Sequence, residues 1–139
     1  DEAKPAVAAV HCGWRGTERR ILAKTVQAMG DAYGSEPGEM LAARGPCIGA
    51  SCYEVGPEVR ESILRAGFPP SVLADSAIRF GKSLLDLRAA NIYLLEKNGL
   101  KKANILDPGP ACTHCEPSLL SYRRAPAEPR RMYNFIGLC

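Results

Sequence analysis

The loop HCGWRG at residues 11–16 combines several side chains that can do chemistry. His11 carries an imidazole that binds metals or moves protons, and Arg15 carries a planar guanidinium that suits phosphate or carboxylate. Gly16 permits close backbone approach, and N–H groups at a helix start attract anions. The loop predicts an anion pocket beside a metal-capable histidine. The alternative is a structural turn with a buried tryptophan, an ion-paired arginine and a hydrogen-bonded core histidine.

Two further segments, GPCIGASCYEVG at 45–56 and ACTHCEP at 111–117, each contain a pair of cysteines. The pairs are Cys47 with Cys52 and Cys112 with Cys115. Four thiolates suit zinc, but zinc ribbons usually separate their pairs by about 15 to 20 residues. Here 59 residues lie between the two pairs. The spacing therefore favours buried, reduced thiols over a structural zinc site, and Pro117 follows too closely for a helix-opening redox pair.

Cys112 and His11 are the residues from which a nucleophile and its base would be assembled, provided that the fold brings them together. The segment SYRR at 121–124 ends in two arginines. Of these, Arg123 is a candidate for anion recognition, and the alternative is a solvated pair of charges. The sequence leaves both questions open.

The elements that must position these residues form a mixed pattern. Helices are predicted from an N-cap at Thr17 to a C-terminal glycine at Gly34, from Pro57 to Gly67, and from a cap at Asp86 to Gly99. Short apolar or alternating runs predict strands at 6–10, 44–48, 53–55, 103–106, 119–122 and 132–138. Residues 68–82 show no clear period. Because strands and helices do not alternate regularly, the order favours an α+β fold or a mixed sheet.

The composition limits the class of protein. The chain has 139 residues, enough for a single domain over 1–139, and a net charge of +3, too small to favour nucleic acid or anionic membranes as partners. No apolar run approaches the roughly 18 to 20 residues that span a bilayer, and no signal-peptide pattern is visible. Six cysteines in a chain that is 46% hydrophobic therefore predict reduced thiols and a cytoplasmic protein.

Four motifs, taken together and in order, closely resemble the C-terminal half of the YfiH family. They are VHCGWRG at 10–16, GPCIG with CYEVG at 45–56, DLRAANIYLLEKNG at 86–99, and CT followed by SYRR and a later arginine at 112–131. Members of this family are also known as laccase-domain or polyphenol oxidase proteins, purine nucleoside phosphorylases and peptidoglycan-editing factors. The resemblance implies an α/β/β/α sandwich with mixed sheets, of which this chain is the C-terminal part.

The resemblance also implies an activity. Purine nucleosides undergo phosphorolysis in a metal-dependent pocket, usually with zinc and sometimes described with copper, and adenosine deamination is a second activity. His11 matches the family's metal-binding histidine, whereas the other two ligands, a histidine and a cysteine, belong to the family's N-terminal half. Cys12 is no replacement, because successive residues of an extended strand point to opposite sides. We therefore expect this chain to be nearly inactive in isolation, with Arg15 facing phosphate or substrate.

Two alternatives stay open beside the phosphorylase. One is a cysteine-type amidase that edits peptidoglycan precursors, with Cys112 as its nucleophile. The other is a non-catalytic truncated module that pairs with a missing N-terminal half or with a second copy of itself. Such pairing would cover the strand edges and apolar surface that are exposed when a mixed-sheet sandwich is cut.

Overall fold

The computed structural model describes residues 1–77, 79–109 and 111–138. These residues form four α-helices: α1 Trp14–Glu18, α2 Ile21–Tyr33, α3 Pro57–Arg65 and α4 Leu87–Lys97. They also form five short strands: β1 Ala42–Ala43, β2 Glu54–Val55, β3 Leu73–Asp75, β4 Ser83–Leu85 and β5 Ile105–Leu106. Single 3-10 turns occur at Ala50–Cys52, Pro70–Val72 and Lys102–Asn104. None of the described helices is both long and apolar enough to cross a membrane.

The strands pair in two ways. β1 and β5 are parallel, with Ala42 opposite Ile105, whereas β4 lies between β2 and β3 in an antiparallel sheet. A further parallel bridge joins Cys47 to Cys112. Parallel and antiparallel pairing thus occur in one small chain, which confirms the predicted mixed α+β class.

The chain divides into two compact units, each with its own buried residues. The first contains Asp1–Gly45, Asn91–Pro108 and the segment from Asn134 onward, and the second contains Pro46–Ala90 and Gly109–Tyr133. In the first unit, apolar side chains of α2, β1, α4 and β5 pack around Val26, Met40 and Leu100. In the second, the buried apolar side chains include Val55, Val59, Ile63, Phe68, Val72 and Leu85.

The helix ends follow local sequence signals. Pro57 occupies the first turn of α3, and Gly67 beyond it adopts φ +82°. The side-chain oxygen Oδ1 of Asp86 accepts a hydrogen bond of 2.8 Å from the N–H of Ala89, which caps α4 as predicted. Gly34, with φ +68°, ends α2 in the left-handed conformation that a glycine adopts without steric cost.

The predicted start of the first helix is wrong. Helix formation begins earlier, at Trp14, and Thr17 lies buried inside α1 instead of capping it. Arg20, with φ +58°, then interrupts the helical path before α2 begins. Tyr33, in the last turn of α2, is 58% exposed.

Several predicted strands are also wrong. Residues 6–10, 119–122 and 132–138 form no strand, because apolar alternation makes a strand only where a partner supplies hydrogen bonds, and no described segment pairs with them. Conversely, β3 and β4 were not predicted, because they lie in or directly after residues 68–82, which show no clear apolar period. β1 lies just before the predicted run at 44–48.

The burial of α3 gives a test of this packing. We expect Ile63→Ala to lower the free energy of unfolding by about 2–5 kcal/mol, because it deletes a fully buried side chain of the second unit. The adjacent Leu64 is exposed, so Leu64→Ala is a matched control with an expected loss below about 1 kcal/mol. Urea denaturation followed by circular dichroism measures both. Equal losses for the two variants would contradict the assigned inward face of α3.

Candidate functional site

His11 is exposed and its imidazole lies directly over the backbone of Gly13. A Cβ atom at Gly13 would come within 3.0 Å of the His11 Nε2 atom. At Gly16, a Cβ atom would come within 3.3 Å of both the His11 carbonyl oxygen and the Ile21 side chain. The two glycines of the motif therefore make room for the histidine and its backbone. The exposure of His11 does not fit the alternative of a core histidine.

A buried hydrogen-bond network holds the backbone beside this histidine. Thr17 is fully buried, and its Oγ1 donates to Asn91 Oδ1 on α4 at 2.9 Å. Asn91 Nδ2 in turn donates to the Cys12 carbonyl at 3.5 Å. Burial raises the pKa of the Cys12 thiol to about 11, so this thiol stays protonated at neutral pH. Cys12 is thus positioned as a structural residue.

Arg15 stacks on its neighbour, with its Cζ atom 4.8 Å from the centre of the Trp14 ring. It is exposed and forms no ion pair with any residue that the structure describes. Because α1 has only five residues, its N–H groups supply a weak dipole. Phosphate recognition in this loop would therefore depend on the Arg15 guanidinium.

In the second unit, backbone pairing brings the two cysteine-containing segments together. Cys47 forms a parallel bridge with Cys112, and its carbonyl accepts the N–H of Thr113 at 3.0 Å. As a result, the Sγ atoms of Cys52, Cys112 and Cys115 all lie within 4.8 Å of one another. The sulfurs of Cys52 and Cys115 are 3.3 Å apart.

Backbone donors set the ionisation of Cys112. Partial burial opposes the charged form, but hydrogen bonds from the N–H groups of Gly49, Cys115 and His114 outweigh it and lower the pKa to about 7. The Gly49 N–H lies 3.1 Å from the sulfur. Hydrogen bonds with the Cys52 and Cys112 thiols instead raise the pKa of Cys115 to about 11. Near pH 7, Cys112 is therefore the thiolate of this pair.

Arg124 closes the loop that carries Cys112 and Cys115. Its Nη1 donates to the carbonyls of Thr113, His114 and Glu116 at 2.8, 2.9 and 3.1 Å. Its Nη2 donates to the carbonyl of Leu119. One planar guanidinium thus ties four peptide groups together, a geometry that the single ammonium of lysine cannot copy. Sequence reasoning missed this role, because its partners are backbone atoms that leave no pattern in the sequence.

Arg123 makes a different contact. Its Nη1 donates to the Glu54 carbonyl at 2.8 Å, and its Cζ lies 5.0 Å from the centre of the Tyr53 ring. The candidate anion-binding arginine therefore holds the segment next to Cys52. An anion at this position would have to share the guanidinium with these partners.

The predicted site residues fall into two groups. His11, Arg15 and Gly16 belong to the first unit, whereas Cys112 and Arg123 belong to the second. Among the described residues, Cys52, Cys112 and Cys115 are the group able to hold a metal ion, and His11 belongs to no such group. A metal implied by the resemblance to YfiH proteins therefore finds one imidazole in the HCGWRG loop, which is too few ligands to hold it.

Comparison with known proteins gives consistent matches. A family model described as multi-copper polyphenol oxidoreductase laccase matches residues 1–139. The chain is 32% identical over 139 residues to the purine nucleoside phosphorylase YlmD of Bacillus subtilis, covering 99% of this chain and 49% of that protein. It is 37% identical over 131 residues to the adenosine deaminase RL5 of an unknown prokaryotic organism, covering 94% of this chain and 49% of that protein.

The fold agrees with these matches. The crystal structure of the Bacillus licheniformis hypothetical protein YfiH superimposes with a TM-score of 0.75 at 32% sequence identity, covering 83% of this chain and 43% of that chain. The resemblance to the YfiH family is therefore confirmed in sequence and in fold. The chain spans about half the length of the curated relatives it matches.

The role of Arg124 is testable by substitution. We expect Arg124→Lys to lower the free energy of unfolding by about 1–2 kcal/mol and to speed amide exchange over residues 112–119, because lysine loses most of the four contacts. Arg65→Lys is the control, since its ion pair with Glu61 is long and exposed. Unchanged amide exchange in the Arg124 variant would show that Arg124 does not hold this loop.

The ionisation of Cys112 predicts a pH dependence. In metal-free, reduced protein, alkylation of Cys112 by iodoacetamide should rise with pH and reach half its plateau rate near pH 7, because only the thiolate reacts. Cys12, whose pKa is raised to about 11, should stay largely unmodified over the same range. Peptide mapping by mass spectrometry resolves the two sites. A midpoint for Cys112 at or above that of an ordinary thiol would contradict the N–H stabilisation.

Proposed function

The chain belongs to the multi-copper polyphenol oxidoreductase laccase family, and from this membership we propose that it forms the C-terminal part of a purine nucleoside phosphorylase. The observation that supports the proposal most strongly is the exposed His11 imidazole, which lies over Gly13 in the same motif as Arg15. The substrates would be a purine nucleoside and phosphate. The match to RL5 supports adenosine deamination as a second activity.

Phosphorolysis places specific demands on this loop. A phosphate oxygen attacks the C1′ carbon of the ribose, the bond from C1′ to the purine nitrogen breaks, and the purine leaves with the electron pair and takes up a proton. Arg15 would bind the phosphate through paired N–H groups and hold it for attack. Gly16, which has no side chain, would let the backbone of the loop come close to the phosphate.

We propose that His11 is one ligand of a zinc ion, with copper as the alternative, and that the other ligands come from the rest of the protein. A single imidazole does not retain zinc, whose catalytic sites use three protein ligands. The chain alone should therefore show little or no turnover. This assignment concerns His11 in the whole protein and leaves the three thiols of the second unit outside the phosphorylase chemistry.

Several large apolar side chains are exposed, which supports the proposal that another polypeptide surface covers them. Phe80 is fully exposed and Phe135 is 92% exposed, so both large apolar side chains are available to a partner surface. We propose that the N-terminal part of the protein, or a second copy of this chain, covers such residues. No disulfide joins the cysteines that the structure describes, and we propose a location in the reducing cytoplasm.

The cysteine amidase receives less support. Within the part of the chain that the structure describes, the groups that hydrogen-bond to the Cys112 sulfur are backbone N–H groups and the Cys115 thiol, and none of them is an imidazole or a carboxylate that would act as a general base. The lowered pKa of Cys112 therefore has a structural cause that does not require a catalytic pair.

The proposal is tested by restoring the missing half. We expect no detectable inosine phosphorolysis or adenosine deamination from the isolated chain with added zinc. A hybrid that joins this chain to the N-terminal half of B. subtilis YlmD should turn over both substrates, and His11→Ala should lower its kcat/KM by roughly 100-fold or more. In the hybrid, Arg15→Lys should raise the KM for phosphate, whereas Arg19→Lys, an exposed control nearby, should not.

Two results would count against the proposal. Turnover by the isolated chain at the level of full-length YlmD would show that the loop needs no further ligands. A hybrid that folds, as judged by circular dichroism, but cleaves no purine nucleoside would reject the phosphorylase itself.

A further inference from the structure

The three thiols of the second unit are spaced as metal ligands. In a tetrahedral zinc site with Zn–S bonds of about 2.3 Å, the sulfurs lie about 3.8 Å apart. The Sγ atoms of Cys52, Cys112 and Cys115 all lie within 4.8 Å of one another, and the Cys52 and Cys115 sulfurs are 3.3 Å apart. Adjustments of no more than about 1 Å, within the reach of χ1 changes, would bring all three to the ideal spacing.

We propose that Cys52, Cys112 and Cys115 form a second metal site, which binds one thiophilic ion such as Zn²⁺ and is built by this unit alone. The site is independent of the nucleoside chemistry proposed for the His11 loop. Soft thiolate ligands select zinc and copper(I) over magnesium or calcium. Three thiolates leave one tetrahedral position for water or for a further ligand.

The backbone around Cys112 already has the form of a ligand-bearing turn. The Cys112 carbonyl accepts the N–H groups of Cys115 and Glu116 at 3.1 and 2.9 Å, which folds the C-x-x-C segment tightly. The Gly49 N–H donates to the Cys112 sulfur at 3.1 Å. Such N–H contacts to sulfur stabilise thiolate charge and orient the ligand from outside the coordination sphere.

Cys52 reaches the same point from the other segment. It ends the 3-10 turn Ala50–Cys52, and its N–H donates to the Gly49 carbonyl at 3.0 Å. A Cβ atom at Gly49 would lie 3.3 Å from the Cys112 sulfur, a tight contact that the glycine avoids. The third thiol is therefore positioned by a hydrogen-bonded 3-10 turn.

The histidine between the two cysteines of this turn has a buried ring nitrogen. The Nδ1 atom of His114 is buried, and no hydrogen-bond partner for it is present among the described residues. A buried imidazole nitrogen without a partner is costly unless something pairs with it. His114 lies between Cys112 and Cys115 in the chain, but its ring nitrogens are not among the atoms that lie within 4.8 Å of one another, so the three thiols remain the ligands of the site.

Cadmium titration tests the site directly. The reduced, metal-free chain is titrated with Cd²⁺ under anaerobic conditions, and the thiolate-to-metal charge-transfer absorption is followed in the ultraviolet. We expect one Cd²⁺ per chain, displacement by Zn²⁺, and protection of Cys52, Cys112 and Cys115 from alkylation in the loaded protein. No nucleoside enters the assay, so its result does not depend on the phosphorylase proposal.

Variants separate the ligands from their surroundings. Cys52→Ser and Cys115→Ser should each weaken Cd²⁺ binding by roughly 100-fold or more, and Arg124→Lys, which loosens the loop without removing a ligand, by about tenfold. Cys12→Ser is the matched control, because it removes a thiol of the other unit and should leave binding unchanged. Circular dichroism checks the folding of each variant.

The proposal is overturned if reduced chain gives no charge-transfer band. It is also overturned if the band and affinity survive both Cys52→Ser and Cys115→Ser. Recovery of a Cys52–Cys115 disulfide, with no bound metal, from protein kept under phosphine reductant would reject the site as well.

Discussion

The second unit depends on a backbone contact between two distant segments, in which Cys47 pairs with Cys112 and the Gly49 N–H meets the Cys112 sulfur. Closing so long a loop costs conformational entropy, which the hydrogen bonds and the adjacent buried side chains must offset. Once this contact forms, the positions of three thiols follow from the backbone and from two tight turns. The arginine behind the loop then fixes the turn by binding its carbonyl groups.

The same physics gives two cysteines opposite characters. Cys12 is enclosed without enough donors to its sulfur, so its neutral form is favoured. Cys112 is also shielded, yet several backbone N–H groups point at its sulfur and favour the thiolate. Residue type alone therefore does not decide which thiol is reactive. The local supply of hydrogen-bond donors decides it.

Local signals explain which parts of the fold were predictable. Proline at the start of α3, the Asp86 cap of α4 and the glycines after α2 and α3 act within a few residues, so their effect is visible in the sequence. β3 and β4, by contrast, exist because each finds a partner across a turn. The alternating segment 132–138 pairs with no strand among the described residues, and the strand predicted there is therefore wrong.

The candidate sites show the same division. HCGWRG was recognisable because its functional residues follow one another in the sequence, and the C-x-x-C pair was visible for the same reason. The spacing rule for zinc ribbons argued against joining Cys52 to that pair, since it assumes that both pairs lie on neighbouring hairpin turns. In this chain the two cysteine-containing segments are far apart in sequence, and a backbone bridge between Cys47 and Cys112 brings them together. No pattern in one sequence reveals that pairing.

The left-handed Arg20 has a mechanical consequence for the HCGWRG loop. A non-glycine residue in this conformation costs about 1 kcal/mol or more, and it resets the chain direction within a single residue. The loop is therefore not carried as a rigid extension of α2. The hydrogen bond from Thr17 to Asn91 fixes the loop instead to α4, a helix that follows much later in the chain. Because Asn91 on α4 contacts both Thr17 and the Cys12 carbonyl, the position of the neighbouring histidine depends on a helix that contains none of the motif's residues.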